Sequence, residues 1–194
     1  PATIGFDAAT DANDVRALTP GGIVSIPVSI RDFPVYALRV LGTARAALLA
    51  AGIADPGAHV VVYRSAWSAR VLLSNRPWDA ARIAIVRKFC DDRSFDVSWY
   101  PGLDPTTARA GIYNDLPAVS FASGEVTSDG PDDAIADEAR GVLEDRATPS
   151  STAFNLTPIT MDRPFFYAVL RLDQLSTVLQ RLEILPQAEI GALV

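Results

Sequence analysis

Between Asp11 and Tyr100, short runs rich in β-branched residues alternate with longer segments whose apolar residues recur every three or four positions. A chain that switches period in this way must stack helices on a sheet. Asp11–Leu18 reads as a short helix with Asp11 as its N-cap. Pro20-Gly21-Gly22 then imposes a turn. The apolar run Ile23–Ile30 suits a buried strand, and Pro27 places it at a sheet edge or a bulge. Phe33–Ala51 has the pattern of a helix, with Pro34 in its first turn, Leu38, Leu41, Arg45 and Leu48 at three-to-four spacing, and Gly52 as its stop. His59–Tyr63 and a segment centred on Val71–Leu73 are strands joined by a connection of hairpin length. Asp79 caps a helix that runs to Asp91, and Phe95–Tyr100 alternates like a strand until Pro101-Gly102 ends it. The expectation is an α/β fold: a layered mixed sheet with flanking helices.

Residues 1–102 thus make an α/β half-domain, and the texture changes after Pro101. Residues 103–150 read as an acidic, irregular insertion with short helices, one near Tyr113–Phe121 and one over Asp132–Asp145. From Glu125 to Asp145 there are eight acids against one base, Arg140. Residues 151–194 read as a loop and an amphipathic helix packing back on the sheet. In that helix Ala168, Leu172, Leu175, Leu179 and Leu182 are spaced by 4, 3, 4 and 3, a stripe too short for a coiled coil.

Composition narrows the function classes. Of 194 residues, 49% are hydrophobic and 21% charged, the balance of a chain that buries a core. A net charge of −6 and a pI near 4.7 argue against an electrostatic nucleic-acid binder. The 16 arginines are scattered from Arg16 to Arg181 beside a single lysine, Lys88, and 30 alanines, which reads as GC-rich coding rather than a basic patch. The uncharged stretch Ala17–Ile30 is broken by Pro20, Gly21, Gly22 and Pro27, so it is no membrane span. Cys90 is the only cysteine and His59 the only histidine, which excludes an internal disulfide and Cys- or His-rich metal sites.

The remaining candidate groups have plain structural explanations. His59, at a strand start with no second histidine, suits an ordinary hydrogen-bonding role better than a general base. Cys90 lies on an apolar helix face beside Asp91 and Asp92, the wrong sign of charge for a nucleophile. The pairs Asp91-Asp92 and Asp132-Asp133 diverge around a helix and read as solvated ends. Thr19-Pro20-Gly21-Gly22 leads into a strand, whereas a phosphate loop leads into a helix. Trp67, Trp78, Trp99 and Tyr100 suit core or rim packing better than a ligand pocket. Met161–Tyr167 reads as an Asp–Arg pair before a proline-started helix. No residue is assigned a catalytic, cofactor-binding or metal-binding role.

Several segments resemble one family. Arg16-Ala17-Leu18-Thr19-Pro20-Gly21-Gly22 followed by Ile23-Val24-Ser25-Ile26 is similar to the late part of class I S-adenosylmethionine-dependent methyltransferase folds. Leu41–Leu48 with His59–Ser65, then Arg93–Asp96, then Asn155–Tyr167 look similar to spermidine synthase-like proteins fused to multi-pass bacterial membrane segments. Leu185–Gly191 resembles the run into the next such segment, and the chain starts at Pro1 and ends in the apolar Ile190–Val194, like a piece excised from a longer protein. The resemblance implies that Ile23 opens the fifth strand of that fold. It also implies that the His59 and Val71 strands close the sheet, with the Val71 strand antiparallel between the other two, and that Asp79–Tyr100 is an extension. The family's glycine-rich turn and acidic cofactor and catalytic segments have no counterpart here, so no site residue carries over.

The resemblance implies a C-terminal portion of a spermidine synthase-like transferase on the cytoplasmic face of a bacterial inner membrane, with the fragment itself soluble. The parent would use S-adenosylmethionine or its decarboxylated form, and this chain alone would hold no cofactor and be inactive, contributing structure and part of a substrate wall around Trp67 and Trp78. Its expected partners are the rest of the parent polypeptide and further copies of itself, through the edge of the Ile23 strand or the leucine stripe. It would meet no nucleic acid, and the membrane only through parent segments elsewhere. The alternative is a non-enzymatic interaction or oligomerisation module that uses the acidic segment or the leucine stripe.

Overall fold

A computed structural model describes residues 7–31, 34–109, 111–116, 118–119, 126–127, 132–144, 154–162 and 169. In chain order the elements are α1 (Ala8–Ala17), β1 (Ile23–Ser29), α2 (Val35–Ala50), β2 (Val60–Arg64), β3 (Ser68–Ser74), α3 (Ala80–Asp91), β4 (Asp96–Trp99), α4 (Pro105–Arg109), β5 (Ala118–Val119), β6 (Val126–Thr127) and α5 (Ala134–Leu143). The expected leucine stripe falls outside the described residues. The expected helix near Tyr113 is corrected: Pro105–Arg109 is helical instead, Tyr113–Leu116 is irregular, and Ala118–Val119 pairs with Val126–Thr127.

The main sheet has the order β1-β3-β2-β4. The fold is α/β as expected, but the sheet is not mixed, because every neighbouring pair is antiparallel. The reason is the tight β2–β3 hairpin, which seats β3 between the two strands that run the same way. The expected position of the Val71 strand, antiparallel and central, is the one observed. β1 is an edge strand among the described residues. Its ladder with β3 runs unbroken through Pro27 opposite Arg70, so the missing proline N–H falls on the open side.

Local chemistry explains the joints. Gly21, at φ 82°, closes the Thr19–Gly22 turn, in which the Gly22 N–H donates to the Thr19 carbonyl at 2.8 Å. Gly52, at φ 91°, ends α2: its N–H reaches Leu49 and that of Ile53 reaches Leu48, the paired bonds of a glycine cap. Asp79 caps α3 as expected, accepting the Arg82 N–H at 2.9 Å.

The principal core lies on one face of the sheet. α1, α2, α5 and the segment 154–159 pack there over Ile26, Val28, Val60, Val62, Val71 and Leu73. Segment 154–159 is fastened to α2 through Thr43, whose hydroxyl accepts the Ile159 N–H at 3.0 Å. It sits so close that a Cβ on Gly42 would lie 3.0 Å from the Leu156 carbonyl oxygen. The opposite face holds a smaller cluster of Val61, Leu72 and Trp78 under α3. Among the described residues no helix is long and apolar enough to cross a membrane.

The start of α1 corrects the expected cap. The Asp7 carbonyl accepts the Asp11 N–H, so the helix begins a turn early and Asp11 falls inside it, 4% exposed. Burial, then the carboxylates of Asp14 and Asp7, push Asp11 up from 3.8 to about 7. The folded chain therefore keeps a proton that the unfolded chain has already released. This contribution to stability is complete below the unfolded value and is lost as pH rises through about 7. Asp11→Asn, which needs no proton, is expected to raise the melting temperature relative to the parent at pH 8 and to have little effect near pH 4. Thermal melts at the two pH values check this.

Candidate functional site

Arg64 closes β2, and its side chain is fully buried. A guanidinium in that position is strongly destabilising unless carboxylates and hydrogen bonds replace its water. Its Nε donates to Asp133 Oδ2 at 2.8 Å, and one Nη donates to the Asn114 carbonyl at 2.6 Å and lies 3.4 Å from Asp96 Oδ2. Asp96 stands directly opposite Arg64 across the β2–β4 ladder. The ladder slips by one residue at Ser98, and this bulge lets the Ser98 hydroxyl donate to Asp133 Oδ2 at 2.8 Å.

Asp133 caps α5 with its other oxygen, accepting the N–H groups of Ile135 and Ala136 at 3.0 Å each. The expectation that Asp132-Asp133 is a solvated pair is thereby overturned for Asp133, which is 1% exposed. Its partners, 35 and 69 residues away in sequence, are invisible to a reading of local charge. The legible signal was an arginine ending the apolar run Val60–Tyr63, a position that demands an internal anion.

The outer side of this cluster shapes a cleft of about 360 Å³ between the second half of α3, β4 and residues 100–113. Asp96 holds its lip, since its carboxylate accepts the N–H groups of Tyr113 at 2.7 Å and Asn114 at 2.9 Å. α3 turns into β4 through Ser94, which adopts φ 53° while the Phe95 N–H reaches back to the Cys90 carbonyl. α4 forms another wall, opened by Asp104, which accepts from both the N–H and the hydroxyl of Thr106. Those bonds hold the exposed Asp104 carboxyl below its ordinary value. Arg87, Asp91, Tyr100, Thr107 and Tyr113 face this cleft, and the Arg87 guanidinium lies 5.8 Å from the Tyr100 ring centroid.

The four aromatic candidates do not converge. Tyr100 lines the cleft. Trp78 and Trp99 are buried and donate their indole N–H to the carbonyls of His59 and Gly57. Trp67 is 69% exposed on the β2–β3 turn. Arg82 lies over Trp78, 4.2 Å from its centroid, so the expected substrate wall of Trp67 and Trp78 is not formed.

His59 and Cys90 both lie in the interior. His59 is buried with Nδ1 2.8 Å from the Ser74 carbonyl, an acceptor that requires the proton on that nitrogen. Burial, with Asp91 and Asp96 nearby, pushes the Cys90 thiol up to about 12. At Gly21-Gly22 both N–H groups are spent, on Asn75 Oδ1 and the Thr19 carbonyl, which leaves neither for an anion. Asp92 is exposed and paired with Lys88 at 2.9 Å. Among the described residues no group of three or more His, Cys, Asp or Glu could hold a metal ion.

Three outcomes are expected. Arg64→Met deprives Asp96 and Asp133 of their shared cation and should cost about 3–5 kcal/mol by urea denaturation. Lys88→Met, at an exposed pair, should cost less than about 1 kcal/mol. A thiol reagent at pH 8 should label Cys90 orders of magnitude more slowly in the folded than in the urea-unfolded chain.

No family model matches this chain, and no curated protein or solved structure matches it either.

Proposed function

We propose that this chain forms the late, non-catalytic half of a spermidine synthase-like, S-adenosylmethionine-dependent transferase fold carried by a multi-pass bacterial membrane protein. One observation carries the reading: the antiparallel β3 sits between β1 and β2, in a chain order of helix, Pro-Gly-Gly turn, β1, second helix, β2 and β3. The edge of β1, unpaired among the described residues, supports it, since earlier strands of the parent would pair there. Pro27 takes one donor from that edge, which makes it a poorer template for a second copy of this chain.

S-adenosylmethionine, or its decarboxylated form, would be held by the rest of the parent. The described residues do not fit the group, because the one glycine pair in a turn has both N–H groups engaged. The chain's own contribution is then structural, closing the sheet at the cytoplasmic face of the membrane. The alternative, docking of a partner on the acidic segment, is disfavoured. α5 buries Ile135, Ala136, Ala139 and Leu143, and its cap Asp133 is committed to Arg64.

Calorimetric titration of the 194-residue chain with S-adenosylmethionine and with 5′-methylthioadenosine tests the reading. No heat beyond dilution is expected at millimolar ligand. Saturable binding at micromolar concentration would place a complete nucleoside site in these residues and overturn the strand assignment.

A further inference from the structure

Two like-ordered ion pairs are available side by side on α3, and only one closes. Lys88 and Asp92, four residues apart, meet at 2.9 Å. Arg87 and Asp91 have the same spacing and the same order, yet make no ion pair with each other. Arg87 lies instead toward the Tyr100 ring, and the Asp91 carboxylate has no partner among the described residues. Both line the cleft of about 360 Å³, together with Phe95, Val97, Thr107 and Tyr113.

A cation and an anion held apart by one helical turn select for a ligand with both charges. A simple anion would meet Asp91, and a simple cation would meet Arg87, each losing to repulsion much of what it gains by attraction. A zwitterion satisfies both. The volume lies at the lower end of the roughly 300–1,000 Å³ typical of small-molecule sites, which suits one compact molecule. Asp96, though on the wall, is already saturated by Arg64, Tyr113 and Asn114 and offers no further acceptor of comparable strength.

The geometry points to a binding site for a free α-amino acid with an aromatic or large apolar side chain. Its carboxylate is received by Arg87, its ammonium by Asp91, and its side chain by the wall of Phe95, Val97 and Tyr100. This inference stands apart from the transferase reading: the cleft is built from α3, β4 and α4, and needs nothing outside this chain.

Amide NMR of the intact 194-residue chain, titrated with L-phenylalanine, tests it. Saturable shifts confined to residues 87–113 are expected. Phenethylamine and 3-phenylpropionate, each lacking one charge, should bind more weakly by roughly ten- to a hundredfold, as should L-phenylalanine to Arg87→Gln and to Asp91→Asn. Both side chains are exposed, so the variants should keep the parent spectrum outside the cleft, which the same experiment reads. Three results would each overturn the assignment: no saturable shift at 10 mM L-phenylalanine, equal affinity for the singly charged analogues, or variants that bind like the parent.

Discussion

A single buried guanidinium organises this fold. Arg64 carries its guanidinium into a fully buried site, and the chain answers with two carboxylates and a carbonyl, while the Ser98 hydroxyl donates to one of those carboxylates, Asp133. Two carboxylates around one cation leave an excess negative charge, and the remainder is met by backbone. Asp133 takes two N–H groups at the positive end of α5, and Asp96 takes two from Tyr113 and Asn114. Four pieces of chain are thereby tied to one atom group: β2, β4, residues 113–114 and the start of α5. β4 is only four residues long and bulged, so its ladder with β2 is a weak tether alone. The charge network fixes its register where hydrogen bonding in the ladder is interrupted.

The two faces of the sheet are unequal. One is covered by α1, α2 and α5 with segment 154–159, and bears the main core. The other carries α3, in which only Cys90 is buried and Ile85 remains largely exposed. Beneath α3 the sheet is filled chiefly by aromatic rings, with Tyr63, Phe89 and Phe95 in mutual contact at 5.7 to 6.2 Å between centroids. β1 lies beyond the reach of that helix, with Ile23, Ser25, Pro27 and Ser29 exposed. In the proposed larger sheet, it is β1 that the earlier strands and their helices would adjoin.

What the sequence made legible was punctuation. Pro20-Gly21-Gly22, Gly52 and the Asp79 cap act within four residues of themselves, so local reading places the elements they bound. Asp11 shows the limit of that reasoning, because an aspartate before an apolar segment looks like a cap whether or not the helix has already begun. Asp133 shows a deeper limit. In sequence it belongs to an acidic run, and in the fold it is the least solvated of the described acids. Its environment is set by Arg64 and Ser98, and contacts of such separation leave no local period. The cleft was illegible for the same reason: α3, β4 and α4 supply walls that only the folded sheet brings together.

The interior network and the exterior cleft are one construction. Asp96 has an inner side, turned to Arg64, and an outer side, which holds the backbone of Tyr113 and Asn114 as the lip of the cleft. The Asn114 amide reaches on to the Ser94 carbonyl at 2.8 Å and so pins the turn that joins α3 to β4. Arg87 and Asp91 stand on the last turns of that same helix. How that end of the helix meets β4 depends on a turn tied through Asn114 to the carboxylate facing Arg64. A buried charge that looks like an expense to stability is in this way a positioning device. It fixes an internal anion, the anion fixes a loop, and the loop forms the lip of the cleft that the two surface charges of α3 face.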